Sequence, residues 1–341
     1  MPRKSTSEHG EREGKAPTAG YPRAGAAEGA TRAPGIEAPE ESAHFMKITR
    51  QIQSGLLVSP KTRKSLELSH DPISLRTADG GETYPVIGEG ERIVPILLID
   101  ATWAEEYSKS SPQMTREYAP ENRKGGAVDS VKEYLSRDFR SKAAMSRFHE
   151  IFDPLDNEKS LVLSIGGGPK REHPSFTNLN IGPFPQVDIV ADAHVLPYKD
   201  ECVDAIFCEA VIEHLAQPEQ AVREFHRILK KGGKVFSVVP FMQAYHGYPH
   251  HYQNLTLTGH RLLYERNHFN VTSSGTCVGP IYTAVHLSIE FVRAYLPAIV
   301  SLPMALIIHT IGLFLKPLDY LLHDKPNSFV FASTTYAIAE K

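Results

Sequence analysis

The stretch Leu161-Val162-Leu163-Ser164-Ile165-Gly166-Gly167-Gly168-Pro169 decides how the rest of the chain is read. A short, mostly apolar run entering a glycine triplet reads as a buried strand that ends in a tight turn. Glycine has no Cβ, so such a turn lets the backbone approach a nucleotide-like ligand closely. Working outward, Thr177–Ile181, Val187–Ala191, Val203–Cys208 and Lys234–Val239 read as further strands. Pro218 to Leu229 has helical spacing through Ala221, Val222, Phe225, Ile228 and Leu229, and Lys231-Gly232-Gly233 reads as its stop. Strands alternating with helices predict an open, mostly parallel α/β sheet whose ligand sits at the carboxyl ends of the strands. The triplet runs into Pro169-Lys170-Arg171, so the G-x-G-x-x-G fingerprint of dinucleotide-binding dehydrogenases does not form.

The remainder of the 341 residues reads as attachments to that core. Residues 1–44 are rich in Gly, Ala, Pro, Glu, Arg and Ser; with so few large apolar groups they are expected to be disordered. Residues 45–100 form a small β-rich unit. Its strands are expected at Gly55–Pro60, Ser65–Leu68, Ile73–Arg76 and Ile93–Leu98, with a turn at Asp79-Gly80-Gly81. Residues 101–159 read as a linker and helices, in which Tyr118, Arg123 and Tyr134 are candidates to line a substrate entrance. Residues 160–341 form the main domain, built on that core. A net charge of −3 provides no general attraction for nucleic acid, and no nucleic-acid partner is expected. The three cysteines, Cys202, Cys208 and Cys277, lack the C-x-x-C spacing of a zinc site and imply a reducing compartment.

Four ordered motifs carry a family resemblance. They are Val162–Gly168, Asp188–Tyr198, Asp204–Leu215 and the helix-to-turn block Arg223–Gly233. Together they resemble a class I S-adenosylmethionine-dependent methyltransferase of the type 11 group. The resemblance implies a Rossmann-like, mostly parallel seven-stranded sheet with helices on both faces, and S-adenosyl-L-methionine as cofactor. It assigns Gly166, Gly167 and Gly168 to the methionine portion, Asn180 to the ribose hydroxyls, Asp192 and Ala193 to the adenine, and Glu209 to the crevice where strand order reverses. Ser164 and Asn180 stand where the family usually has acidic residues, which keeps a catalytically silent binding protein as an alternative. Tyr84-Pro85-Val86-Ile87 and Ile93-Val94-Pro95-Ile96-Leu97 resemble the zinc-ribbon-like activator proteins of methyltransferases. Ser59 stands where that family often has its first cysteine, so no metal is expected there. The resemblance implies an activator fused to the core it would stabilise.

Phe241 to Tyr252 follows the fifth strand of the core, where this fold meets its substrates, and is rich in histidine. His246 is the leading candidate for a general base or acceptor-orienting group, because imidazole titrates near neutral pH; His250 and His251 are further candidates. These histidines read as a polar substrate loop rather than a metal set. The expected reaction is methyl transfer to a small-molecule or glycan- or lipid-linked acceptor, at oxygen. Residues 281–322 form a hydrophobic helical insert, and Ala294–Leu315 carries no formal charge and is long enough to cross a bilayer. Phe329–Ala339 alternates like a final strand that must return to the sheet, and Pro297 and Pro303 interrupt the helix. A helical hairpin is therefore expected, lying on a membrane surface with Arg293, Lys316 and His323 toward the headgroups or forming a hydrophobic lid, with a homodimer interface as the structural alternative. The expected location is cytoplasmic, peripheral to the inner face of the membrane. A membrane-recruited scaffold is the alternative function.

Overall fold

The computed structural model describes residues 47–88, 93–99, 138–157, 159–168, 171–246 and 250–341. The tail at 1–44 and Tyr118, Arg123 and Tyr134 lie outside the described residues. The strands are β1 (Leu66–His70), β2 (Ile73–Thr77), β3 (Thr83–Ile87), β4 (Val94–Leu97), β5 (Val162–Ile165), β6 (Thr177–Asn180), β7 (Ile189–Ala191), β8 (Val203–Glu209), β9 (Leu229–Pro240), β10 (Asn270–Val278) and β11 (Thr334–Glu340). They form one sheet in the order β1-β2-β3-β4-β7-β6-β5-β8-β9-β11-β10. The block from β7 to β9 is parallel throughout, and β11 inserts antiparallel between β9 and β10. Strand order reverses at β5, which has β6 on one side and β8 on the other.

The parallel strands are buried on both faces, and successive residues serve different cores. Leu163, Ile165, Ile206, Cys208, Val235 and Val239 point into one cluster; Val162, Ala205, Phe207, Phe236 and Val238 point into the other. The first is covered by α2 (Pro218–Ile228), α3 (Leu257–Glu265) and a helical segment at residues 47–53. The second is covered by α1 (Lys142–Phe152), whose Phe148 and Phe152 meet Phe176, Phe207 and Phe236 at ring distances of 4.9–6.4 Å. Ser141 caps α1 by accepting a hydrogen bond from the Ala144 amide at 3.1 Å. The doubly covered α/β sheet expected from the sequence is present.

Three details differ from expectation. The sheet does not stop at seven strands, because β4 pairs in parallel with β7, Ile96 opposite Val190 and Leu97 opposite Ala191. The antiparallel meander β1–β4 thereby continues the core sheet to eleven strands. Strand edges bond readily to any extended backbone in register, and apolar patterning alone does not say which edge β4 chooses. The expected strand at Gly55–Pro60 is reduced to single bridges at Leu57 and Val58. Lys230–Gly233 is also not a helix stop: Leu229 is already extended and starts β9, pairing with Val203 while fully buried.

Ser59 is buried and organises the loop before β1. Its hydroxyl accepts the Lys61 and Thr62 amides at 3.1 and 3.0 Å, lies 2.9 Å from the Tyr84 hydroxyl, and donates to Glu82. Hydrogen bonds thus hold this knuckle together.

Residues 280–315 form a helical hairpin of α4 (Pro280–Tyr295) and α5 (Ala298–Leu315), turned at Leu296-Pro297. Val285, Ile289, Val292 and Ala305 pack between the two helices. A Cβ on Gly312 would lie 2.8 Å from Val285, so glycine allows that close approach. Asp319, in the short helix α6 (Asp319–Leu322), accepts the Ile281 and Tyr282 amides at 2.9 Å each and so caps the start of α4. The segment Ala298–Leu322 has mean hydropathy 2.2 and is long enough to cross a membrane, yet only 17% of it is buried. Ile299, Leu302, Leu306, Ile307 and Phe314 all lie exposed. The expected headgroup contacts need correction: Lys316 is buried with its ammonium 5.0 Å from the Tyr282 ring, and His323 is buried beside Asp319. Burial of the Lys316 aliphatic stem and the cation–π contact hold it inward. Arg293 remains outside, 3.4 Å from Glu290.

Candidate active site

The glycine loop leaves β5 at the point where strand order reverses. Gly166 has φ +80° and Gly168 φ +146°, both in the region that favours glycine. Packing makes the same demand: a Cβ on Gly166 would sit 2.2 Å from Val211 Cγ2, and one on Gly168 would sit 2.4 Å from Val187 Cγ2. A Cβ on Gly167 would meet Ser164 Oγ at 2.7 Å and Asn178 Oδ1 at 2.9 Å. A small, neutral Ser164 therefore lies directly under the loop, in the place where the family usually has an acid.

Asn180, at the end of β6, turns its amide toward this loop. Its Nδ2 donates to the Gly166 and Gly167 carbonyls at 2.9 and 3.1 Å, while its Oδ1 accepts the Gly182 amide at 3.3 Å. A carboxylate here could not donate those two bonds. Asp188 is fully buried, is gripped by Arg171 at 2.7 and 3.0 Å, and accepts the Asn178 amide at 2.8 Å. Its role is structural.

Asp192 follows β7 and borders a cavity of about 180 Å³ lined also by Pro60, Leu97, Leu98, Ile99, Ile181 and Val195. The cavity combines apolar walls with one carboxylate, and β4 supplies one of those walls through Leu97–Ile99. Burial raises the Asp192 pKa, but hydrogen bonds from His194 (Nδ1 at 2.7 Å, backbone amide at 2.9 Å) outweigh it and hold the carboxyl below its usual range. Ala193 is half-buried against the core.

Glu209 ends β8 and bonds Arg140 at 2.9 Å. Burial raises its pKa, and Arg140 partly offsets that rise. It stands at the carboxyl end of β8, where its charge is engaged by an arginine arriving from just before α1.

Past β8, the chain makes a short turn through Ile212–His214, tied to the following loop by the Tyr252 amide donating to the Glu213 carbonyl at 2.8 Å. His246, placed by the loop after β9, comes within 3.8 Å of Glu213 Oε1 through its Nε2; His214 Nε2 lies 3.7 Å from the same oxygen. Glu213 is only 1% exposed and neither carboxylate oxygen has a hydrogen-bond partner. His246 Nδ1 donates to the Ala244 carbonyl at 3.0 Å, and His214 Nδ1 donates to the His250 carbonyl at 2.6 Å. The Glu213 carboxylate raises the His246 pKa, while burial lowers that of His214. His251 is spent on local structure: Nδ1 accepts the His246 amide at 3.1 Å and Nε2 donates to Asn254 at 2.7 Å. His250 contributes its carbonyl to the cluster. Sequence reasoning picked out His246 but passed over Glu213 and His214. The adjacent acid–histidine pair just after β8 was the available signal, and it needed the fold to bring His246 to it.

The glycine loop and this cluster belong to one face of the sheet's end, because Val211, packed on Gly166, lies two residues before Glu213.

The methyltransferase domain family model matches residues 175–237. A curated relative, an uncharacterised 37.1 kDa protein in transposon TN4556 of Streptomyces fradiae, is 36% identical over 133 residues, or 32% of this chain. The match covers 39% of that relative's length. Among solved structures, a complex of the Haloferax volcanii Trm112 methyltransferase activator with a putative methyltransferase aligns with TM-score 0.38 and 14% identity. It covers 70% of this chain and 97% of that one. Haemonchus contortus phosphoethanolamine N-methyltransferase 2, bound to phosphomonomethylethanolamine and S-adenosylhomocysteine, aligns with TM-score 0.36 and 15% identity. It covers 61% of this chain and 56% of that one. The [4+2]-cyclase SpnF aligns with TM-score 0.36 and 17% identity, over 58% of this chain and 80% of that one.

Proposed function

We propose that this chain, whose residues 175–237 match the methyltransferase domain, is an S-adenosylmethionine-dependent methyltransferase acting on an oxygen of a small-molecule or glycan- or lipid-linked acceptor. The observation that carries the reading is the glycine loop at the strand-order reversal, with an apolar cavity ending in Asp192 on one side and the histidine cluster on the other. In open α/β sheets that crevice is where ligands bind. The residues fit the cofactor. The cavity between Ile181, Leu97–Ile99 and Asp192 suits a flat heteroaromatic base with an exocyclic amine. The Gly166–Gly168 backbone can approach the methionine portion, and Asn180 Oδ1, which accepts the Gly182 amide, keeps a second lone pair for a ribose hydroxyl.

When bound there, the cofactor supplies an electrophilic methyl group on a sulfonium sulfur. The chain's own task is then positioning. The loop and cavity hold one reactant, and the His246–Glu213 end holds the acceptor oxygen in line with the methyl group. Nε2 of His246 is the group placed to take or orient the acceptor's proton. The exposed face of α5 gives a lipid-linked acceptor a surface to arrive from, and it supports a peripheral position at the cytoplasmic face of a membrane.

Titration calorimetry with S-adenosylmethionine and S-adenosylhomocysteine tests the reading. Micromolar binding that is lost in Gly166→Arg is the expected result. Absence of binding by well-folded protein would overturn it.

A further inference from the structure

The least explained group in the described structure is Glu213. A carboxylate withdrawn from water without hydrogen bonds carries a large desolvation cost, and buried charges are normally paired or bound to a metal. Its surroundings add to the problem. His214 and His246 each donate their Nδ1 proton to a backbone carbonyl, at 2.6 and 3.0 Å. In a neutral imidazole this leaves Nε2 as a bare lone pair. Both lone pairs face the same Glu213 oxygen, at 3.7 and 3.8 Å. With both rings neutral, three electron-rich atoms thus converge, and all lie within 4.8 Å of one another.

We infer that Glu213, His214 and His246 form a binding site for a divalent first-row transition cation at the acceptor end of the crevice. Ligand bonds of about 2.1 Å at tetrahedral angles set donor atoms about 3.4 Å apart, so the two carboxylate–imidazole sides, at 3.7 and 3.8 Å, need a few tenths of an ångström of closure, and rotation of the two rings toward each other closes the third side, which is within 4.8 Å. The backbone carbonyls on the two Nδ1 atoms hold the rings in the ligating tautomer, as outer partners do in established metal sites. Two imidazoles and one carboxylate favour zinc, cobalt or manganese over magnesium and calcium, which prefer all-oxygen shells. His214 and His246 are partly exposed while Glu213 is not, so the cation would sit at the mouth of the pocket with positions open to a ligand from solution. Its role rests on the methyltransferase reading: with the His246 Nε2 lone pair given to the metal, the cation in place of that nitrogen would hold the acceptor oxygen and ease loss of its proton. The existence of the site does not depend on that reading.

The test is a titration of the metal-free full chain with Co²⁺, followed through its visible d–d bands and then by Zn²⁺ competition, alongside calorimetry with S-adenosylhomocysteine. One saturable equivalent of Co²⁺ is expected, displaced by Zn²⁺ and unaffected by excess Mg²⁺. Glu213→Gln and His246→Ala should each weaken it by more than the roughly 10–100-fold typical of losing an outer partner, and His149→Ala, on the exposed face of α1, should leave it unchanged. His246→Ala replaces a half-exposed loop side chain and keeps the test decisive if Glu213→Gln fails to fold. Wild-type protein that binds the nucleoside but gives no Co²⁺ bands, or ligand variants that titrate like wild type, would overturn the site. Co²⁺ binding without nucleoside binding would instead overturn the methyl-donor reading and leave the metal site standing.

Discussion

The two halves of the crevice are built on opposite principles. At the glycine loop the charged and amide groups that shape the backbone are engaged: Asn180 holds two loop carbonyls, Asp192 holds His194, and Asp188 holds Arg171, and only Asn178 Oδ1 and His194 Nε2 among these neighbours lack a hydrogen bond. At the other half Glu213 holds nothing by hydrogen bond, and two imidazoles point lone pairs at it. Satisfied groups rigidify a backbone and leave its shape to do the binding, whereas an unsatisfied buried cluster keeps its chemistry for something that arrives. Under the proposed function, the contrast assigns cofactor recognition to the loop's shape and acceptor chemistry to the cluster.

The loop half should break most severely on a change of shape. Gly166→Val puts a β-branched residue at φ +80° and drives its Cβ into Val211. A loss of about 3–5 kcal/mol in stability is expected from strain and overpacking together, read as a drop in denaturant midpoint with nucleoside binding abolished. A merely tenfold loss of binding at full stability would show that the loop can yield.

A histidine outside the crevice gives the control for what burial alone does to an imidazole. His260 is fully buried between Ser237 (2.9 Å) and Thr335 (3.1 Å), and burial pushes its pKa down to about 3 from 6.5. The unfolded chain binds the proton across that window and the folded chain does not. Stability is therefore lost as pH falls from 6.5 toward 3, by about 1.4 kcal/mol per pH unit. His260→Gln should flatten that part of the stability–pH curve relative to wild type; an unchanged slope would mean that His260 is not the group responsible.

Asn180 sharpens the comparison, because the more usual acid is expected to be worse here. Asn180→Asp replaces two donated bonds by a carboxylate facing two carbonyl oxygens, at a cost of about 2–3 kcal/mol. Asn180→Ala loses the bonds without that repulsion and should cost less. Chemical denaturation of the two variants checks the order, and a more stable Asn180→Asp would mean that ribose-type hydroxyl binding, not loop support, selects the residue. The smallest effect is expected away from the crevice. Ser59→Ala removes the centre of the knuckle before β1 and should cost about 1–2 kcal/mol in thermal denaturation, with nucleoside affinity falling only as far as the cavity wall at Leu97–Ile99 shifts.

Much of this architecture was readable in advance. Short apolar runs around glycine gave away β5 to β9, and the Ala221, Val222, Phe225, Ile228 spacing located α2, because period and burial are local properties of a chain. The Gly166–Gly168 turn was equally plain. Asn180 and Asp192 were found by position, but their partners were not: whether an amide faces a ribose or a carbonyl depends on where the loop folds back. The orientation of Lys316 and His323 was misjudged for a related reason. Flanking charge is visible along a sequence, while the ring of Tyr282 that draws Lys316 inward is 34 residues away.

The amino-acid pattern alone thus determined an α/β sheet with its ligand end at the glycine triplet, and a long apolar hairpin before the last strand. Tertiary structure decided that β4 would join the core beside β7 and wall the cavity at Asp192, and that Glu213, His214 and His246 would share one point in space. The physical reason is range. Strand and helix patterns repeat every two to four residues, whereas a converging site is made by backbone turns that bring together residues 32 positions apart, with nothing between them in the chain to announce the meeting.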